Sequence, residues 1–137
     1  MQNLLIDTNI VLDLLAKREP YYADSARLFS LADKENIKLS VNALTFANTN
    51  YILSKLLSVL EARDVLGKFR VLVSVLPLND KIIDLALNDS NFPDFEDGLQ
   101  YYTALENNQN FIITRDFKGF RKSMIPVMTA EQFCATI

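Results

Sequence analysis

Short apolar segments alternate with longer amphipathic ones along the chain. Segments that are continuously apolar, or that alternate with a period of two, predict strands over 4–6, 37–41, 73–78, 111–114 and 125–128. Apolar residues that recur every three or four positions predict helices over 8–17, 20–34, 42–59, 61–71, 80–87 and 93–107, followed by a capping turn at 129–132. Strands separated by helices are typical of a parallel sheet with right-handed crossovers.

The pattern therefore predicts an α/β protein with a central parallel sheet of four to five strands flanked by helices. The helices over 42–59 and 61–71 follow each other closely, which predicts a projecting helical hairpin. A chain of 137 residues fits one domain, so we expect residues 1–137 to form a single domain with its own core.

The composition indicates an ordinary globular protein, with 50% hydrophobic and 23% charged residues. Apolar runs are far shorter than the roughly 20 residues that span a bilayer. The first residues lack a basic segment followed by an apolar one, so we expect no signal peptide, no membrane association and a cytoplasmic location.

The rare residue types exclude several kinds of chemistry. The sequence has no histidine and one cysteine, Cys134, which excludes histidine-dependent nucleophiles, histidine metal sites, an internal disulfide and cysteine-rich zinc sites. The three glycines are too scattered for a phosphate-binding loop. A metal would have to be bound by oxygen ligands, which favours Mg²⁺ or Mn²⁺. A net charge of −3 leaves nucleic-acid contact to local basic patches.

Acidic residues follow two of the predicted strands. Segment 4–6 runs into Asp7, and segment 111–113 leads within three residues to Asp116. In a parallel sheet both carboxylates emerge at the carboxyl edge, where ligands bind in open α/β folds. Asp94 and Asp97 are three residues apart at the start of a predicted helix and share a face. The alternative is that these residues only cap helices.

Carboxylates that meet at one edge repel each other. A like-charged pair in near contact costs about 4 kcal/mol at an effective dielectric constant of about 20. A divalent cation relieves this repulsion, and water bound to the cation can attack a phosphodiester. Gly98 lies within the first turns of the same predicted helix, which suggests that something approaches its backbone closely.

Two other folds that place an aspartate at a strand end fit less well. A haloacid-dehalogenase-like phosphatase needs a second aspartate at position 9, where this chain has Asn9. A receiver domain requires a lysine after its last strand, where this chain has Thr129 and Ala130.

The segments "LLIDTNIVLDLL" and "DFEDGLQYYTALENNQNFIITRDFKGF" resemble PIN-domain ribonucleases of the VapC toxin type, over nearly the whole chain. The resemblance implies a three-layer PIN-like domain and an Mg²⁺- or Mn²⁺-dependent endoribonuclease. It also implies the toxin of a toxin–antitoxin pair, with an RNA substrate and a small antitoxin partner. By position it assigns the metal site to Asp7, Asp97 and Asp116, with Asp94 as an auxiliary ligand. Thr8, Asn9 and Thr114 would orient substrate or support the ligands, or serve only as caps.

The chain departs from the resemblance at one carboxylate. Relatives usually carry a glutamate in the long helix after the second strand, where "SVNALTFANTNYIL" has Asn48, or Asn50 if the register is shifted. A neutral amide removes one negative charge, so affinity for Mg²⁺ should fall. The alternative function is therefore a weakened or inactive PIN domain that binds RNA or protein.

Residues around the proposed site leave further alternatives open. Basic residues could hold RNA phosphates or form a solvated face, namely Arg115, Lys118, Arg121, Lys122, Lys17 and Arg18. Arg115 could instead pair with Asp94 or Asp97. The tyrosine pairs 21–22 and 101–102 could stack on bases or belong to the core. Apolar side chains on the hairpin predict a homodimer or a partner-binding surface, namely Phe46, Leu53, Leu56, Leu57 and Leu60.

Overall fold

A computed structural model describes residues 1–34 and 36–137. Its strands are β1 (Gln2–Ile6), β2 (Ile37–Asn42), β3 (Ser74–Leu76), β4 (Phe111–Ile113) and β5 (Val127–Met128). Its helices are α1 (Thr8–Leu15), α2 (Tyr22–Lys34), α3 (Ala43–Leu56), α4 (Val59–Arg70), α5 (Asp80–Leu87), α6 (Phe95–Glu106) and α7 (Ala130–Cys134). The strands form one parallel sheet in the order β3-β2-β1-β4-β5, which confirms the predicted α/β fold.

The central strand β1 sends alternate side chains to opposite faces of the sheet. Leu4 and Ile6 pack with residues of α1, α2, α4 and α7. Leu5 packs on the other face with Tyr101 and Ala104 of α6. Helix α5 lies against α6 through Ile82, Ala86 and Leu99. Helices therefore cover both faces, and the arrangement has the expected three layers. No helix in the described ranges is long and apolar enough to cross a membrane.

Helices α3 and α4 form the predicted hairpin, with different bounds. The predicted helix over 42–59 ends at Leu56, and the next helix begins at Val59 instead of residue 61. Ser58 causes the difference, because its hydroxyl and the Glu61 carboxylate cap each other's backbone N–H groups. The base of the hairpin enters the core through Phe46 and the buried Phe69, and Leu60 at its tip is exposed.

The predicted C-terminal capping turn continues into a short helix, α7. Thr129 caps it with a reciprocal bond to Gln132, and Phe133 and Cys134 are buried against the sheet. The sequence predicts only the turn, because the apolar pattern after residue 130 is too short to indicate a helix.

Candidate metal centre

Asp7 lies where β1 ends and α1 begins, at the carboxyl edge of the sheet. Its Oδ1 atom accepts a hydrogen bond from the backbone of Thr8 at 2.8 Å, so Asp7 caps α1 as one alternative predicted. Its Oδ2 atom accepts from the Thr114 hydroxyl at 2.8 Å and from the Asn9 amide at 3.3 Å. The carboxylate is therefore held in one orientation by the first residues of α1 and by Thr114, which follows β4.

The end of β4 brings Asp116 to the same edge. Thr114 is fully buried, and its hydroxyl accepts from the backbone N–H of Asp116 at 3.0 Å while it donates to Asp7. The Asn9 amide also donates to the Thr114 hydroxyl at 3.1 Å. Asn9 and Thr114 thus orient the Asp7 side chain, whereas the Thr8 hydroxyl donates to Thr45 of α3 at 3.3 Å.

Asp97 reaches this edge from the first turn of α6, and its carboxyl group is in contact with that of Asp116. Gly119 lies against both. Its N–H donates to Asp116 Oδ1 at 3.0 Å. A Cβ atom at residue 119 would lie 2.9 Å from Asp97 Cγ and closer still to carboxylate oxygens of both aspartates. Only a residue without a side chain allows this cradle to form.

Burial and mutual repulsion raise two carboxyl pKa values at this edge. Burial raises the pKa of Asp97 to about 7, and the charges of Asp94, Asp116 and Asp7 add to the effect. Burial also raises the pKa of Asp7 to about 6, although the hydrogen bonds from Thr114 and Thr8 oppose it. The charges of Glu96 and Asp116 raise it further. The three predicted aspartates therefore act on one another electrostatically.

The donor set suits a hard divalent cation, because it consists of carboxylate oxygens that repel each other. A cation held by Asp97 and Asp116 would relieve the repulsion between their carboxylates. Within residues 1–34 and 36–137, however, no three acidic or cysteine side chains are already arranged to hold a metal ion. The residues fit the cation by chemistry, and their side chains would have to move to surround it.

Two further acidic residues stand beside this cluster. Asp94 is exposed and caps α6, because its Oδ1 atom accepts from the Glu96 N–H at 2.9 Å. Glu96 was not predicted as a site residue, yet its carboxylate accepts from the Asn48 amide at 2.8 Å. Asn50, the alternative to Asn48, bonds with Ser54 along α3 instead. Asn48 is therefore the asparagine that faces α6.

Arg115 does not pair with Asp94 or Asp97 as suggested. Its guanidinium forms two hydrogen bonds with the fully buried Asp13 of α1, at 2.8 and 3.0 Å. It also stacks on the Tyr21 ring, with 3.8 Å between the guanidinium carbon and the ring centre. The ion pair therefore ties the backbone at Arg115, which lies between Thr114 and Asp116, to α1. The sequence does not predict a role for Asp13, because only its distant partner Arg115 explains an acidic residue on an apolar helix face.

A cleft of about 470 Å³ is lined by both acidic and basic side chains, and Asp94, Asp97 and Asp116 are its acidic residues. Of the six basic residues singled out, three line this cleft, namely Lys118, Arg121 and Lys122. Tyr101 is buried and stacked on Phe92, with ring centres 4.6 Å apart, so it cannot stack on bases. Tyr102 donates to Asp89 at 2.6 Å.

Comparisons with known proteins identify the family to which the chain is similar. The family profile described as "PIN domain" matches residues 3–118. Ribonuclease VapC1 of Aquifex aeolicus (strain VF5) is 29% identical over 143 residues, which cover 97% of this chain and 94% of that protein.

Solved structures show the same fold at low identity. DNA-bound VapBC from Salmonella typhimurium matches with a TM-score of 0.71 and 15% identity, over 95% of this chain and 99% of that one. VapC20 from Mycobacterium tuberculosis, described as a sarcin-ricin loop cleaving toxin, matches with a TM-score of 0.66 and 14% identity, over 84% and 92%.

Proposed function

Because this chain belongs to the PIN domain family and is a distant homologue of the VapC ribonuclease toxins, we propose that it is a metal-dependent endoribonuclease cleaving RNA phosphodiesters. The supporting observation is the meeting of Asp7, Asp97 and Asp116 at the carboxyl edge of the sheet. Asp97 and Asp116 also line a cleft with Lys118, Arg121 and Lys122, so acidic groups for a cation and basic groups for phosphates lie together.

The residues divide the work by their chemistry. Asp7, Asp97 and Asp116 would hold Mg²⁺ or Mn²⁺, with Asp94 at the margin. When bound, the metal would supply positive charge at the phosphate and a more acidic water. Thr114 and Asn9 fix the Asp7 carboxylate through hydrogen bonds. Lys118, Arg121 and Lys122 would bind backbone phosphates, which contribute affinity without sequence choice.

The partners follow from the relatives. Because similar structures are VapBC toxin–antitoxin complexes, we propose that this chain is a toxin with a small protein antitoxin. Exposed apolar residues at the hairpin tip, namely Leu56, Val59 and Leu60, support a homodimer. Residues 1–137 would act together as one domain on cytoplasmic RNA.

Asn48 favours a second candidate function. Without a carboxylate at this position the metal would bind less tightly, and the chain would be a weakened or inactive PIN domain that binds RNA or protein. A cleavage assay separates the two functions, because only the first requires a metal ion.

The assay incubates the purified chain with structured RNA in Mg²⁺ or Mn²⁺, and in EDTA. We expect cleavage that EDTA abolishes and that Asp7→Asn reduces by at least about 100-fold, because the variant removes a charged ligand at a fixed position. Asp64→Asn is the matched control, because Asp64 is exposed on α4 and pairs with Lys68. Absence of metal-dependent cleavage by the parent would favour the binding function.

A further inference from the structure

Helices α3 and α6 face each other through polar side chains. Asn48 Nδ2 donates to Glu96 Oε1 at 2.8 Å, and Gln100 Nε2 donates to Thr45 Oγ1 at 3.2 Å. Thr45 and Asn48 are three residues apart on α3, and Glu96 and Gln100 are four apart on α6, so each pair shares a face of its helix. We call these four residues the α3–α6 polar contact.

This contact leads directly to the acidic cluster. Thr45 accepts from the Thr8 hydroxyl at 3.3 Å, and Thr8 follows Asp7. Glu96 precedes Asp97 in the first turn of α6, where the helix terminus favours negative charge. The charge of Glu96 also acts on Asp7. Glu96 is therefore held at the edge of the cluster, on the side where α3 approaches.

We infer that Glu96 supplies the carboxylate that relatives carry on α3, and that Asn48 is a positioning residue that holds Glu96 toward the metal site. This inference rests on the proposed function. In the described part of the chain, Asn48 is the only hydrogen-bond partner of the Glu96 carboxylate, and it uses only Oε1. The Oε2 atom stays available as a ligand.

The exchange keeps the charge of the site. A glutamate at position 48 would face Glu96 at hydrogen-bond distance, and two carboxylates there would repel each other. An asparagine donates an N–H instead, so an amide on α3 and a carboxylate on α6 are complementary. Glu96 of α6 thus supplies the negative charge that α3 lacks because residue 48 is an asparagine.

The inference can be tested by titrating the intact chain with MnCl₂ in a calorimeter at neutral pH. We expect Glu96→Gln to weaken Mn²⁺ binding by more than about 10-fold, and Asn48→Ala by about 10-fold, as for a group that orients a ligand. Glu106→Gln is the matched control, because Glu106 lies at the other end of α6 and pairs with Lys81 at 2.6 Å. Thermal unfolding without metal checks that each variant folds.

A rescue variant shows whether Glu96 is a metal ligand or only a contact between α3 and α6. If Glu96 ligates the metal, adding Asn48→Glu to Glu96→Gln should restore Mn²⁺ affinity, because the carboxylate then comes from α3. Parent-like affinity of Glu96→Gln, with Mn²⁺ binding lost in Asp7→Asn, would overturn the inference and leave the proposed function standing. Absence of Mn²⁺ binding and of RNA cleavage by the parent would overturn both.

Discussion

At the scale of single residues, Gly119 leaves the space that the Asp97 and Asp116 carboxylates occupy. A methyl group there would overlap carboxylate oxygens of both aspartates. We expect Gly119→Ala to push the two side chains apart, and to lower both Mn²⁺ affinity and RNA cleavage by at least about 10-fold, as when a supporting group of a metal site is removed. Calorimetry and the cleavage assay measure the two effects.

Gly67 provides the control for this substitution. It lies inside α4, and a Cβ atom at residue 67 would meet nothing within 4 Å. Gly67→Ala should therefore stabilise the protein by up to about 1 kcal/mol, with no change in metal binding. If Gly119→Ala bound Mn²⁺ as the parent does, the two carboxylates would not need their present spacing.

Some residues of this site could be predicted from the sequence and others could not, for a physical reason. Asp7 and Asp116 could be predicted because parallel strands must end at one edge of a sheet. The sequence predicts a close approach to the backbone of Gly98, and the neighbours there are Ala86 and Phe92 of the packed core. Gly119, Asp13 and Glu96 acquire their roles from partners distant in the chain, and no local pattern reports such partners.

At the scale of elements, the hairpin of α3 and α4 combines a buried base with an apolar tip. Leu56 is 63% exposed and Leu60 is 80% exposed, whereas Phe69 is buried. If the tip forms the proposed homodimer, Leu56→Ser with Leu60→Ser should shift the chain to monomer, because it removes apolar surface that association would bury. Light scattering after size-exclusion chromatography, over a range of concentrations, measures the mass.

Leu87→Ser is the control, because Leu87 is 65% exposed at the end of α5, away from the hairpin. It should leave the mass unchanged. A parent that stays monomeric at every concentration would contradict the hairpin dimer. The hairpin itself was predictable from apolar spacing, but its turn was misplaced because the reciprocal cap of Ser58 and Glu61 was not identified.

At the scale of the whole molecule, ionisation of the acidic cluster lowers the free energy of unfolding. Folding raises the pKa of Asp7 from 3.8 to about 6 and that of Asp97 from 3.8 to about 7. Between these limits the folded chain binds more protons than the unfolded chain. The stability contributed by the two carboxyl groups is therefore full below pH 3.8, and it is lost as the pH rises through 6 and 7.

This linkage predicts how stability depends on pH and metal together. In EDTA, the free energy of unfolding should fall between pH 5 and 7.5 more steeply for the parent than for Asp97→Asn, which carries no charge there. Mn²⁺ should restore stability at pH 7.5 and have little effect at pH 5, because protonated carboxyl groups do not bind it. A metal at 100 times its dissociation constant would add about 2.7 kcal/mol.

Urea unfolding followed by circular dichroism, at both pH values and with or without Mn²⁺, measures these four free energies. The comparison uses differences between variants, so other titrating groups cancel. Asp64→Asn, outside the cluster, should keep the parent's slope. Equal slopes for the parent and Asp97→Asn would mean that the carboxylates do not strain the fold. A cation would then have no repulsion to relieve, and the electrostatic argument for a metal at this edge would fail.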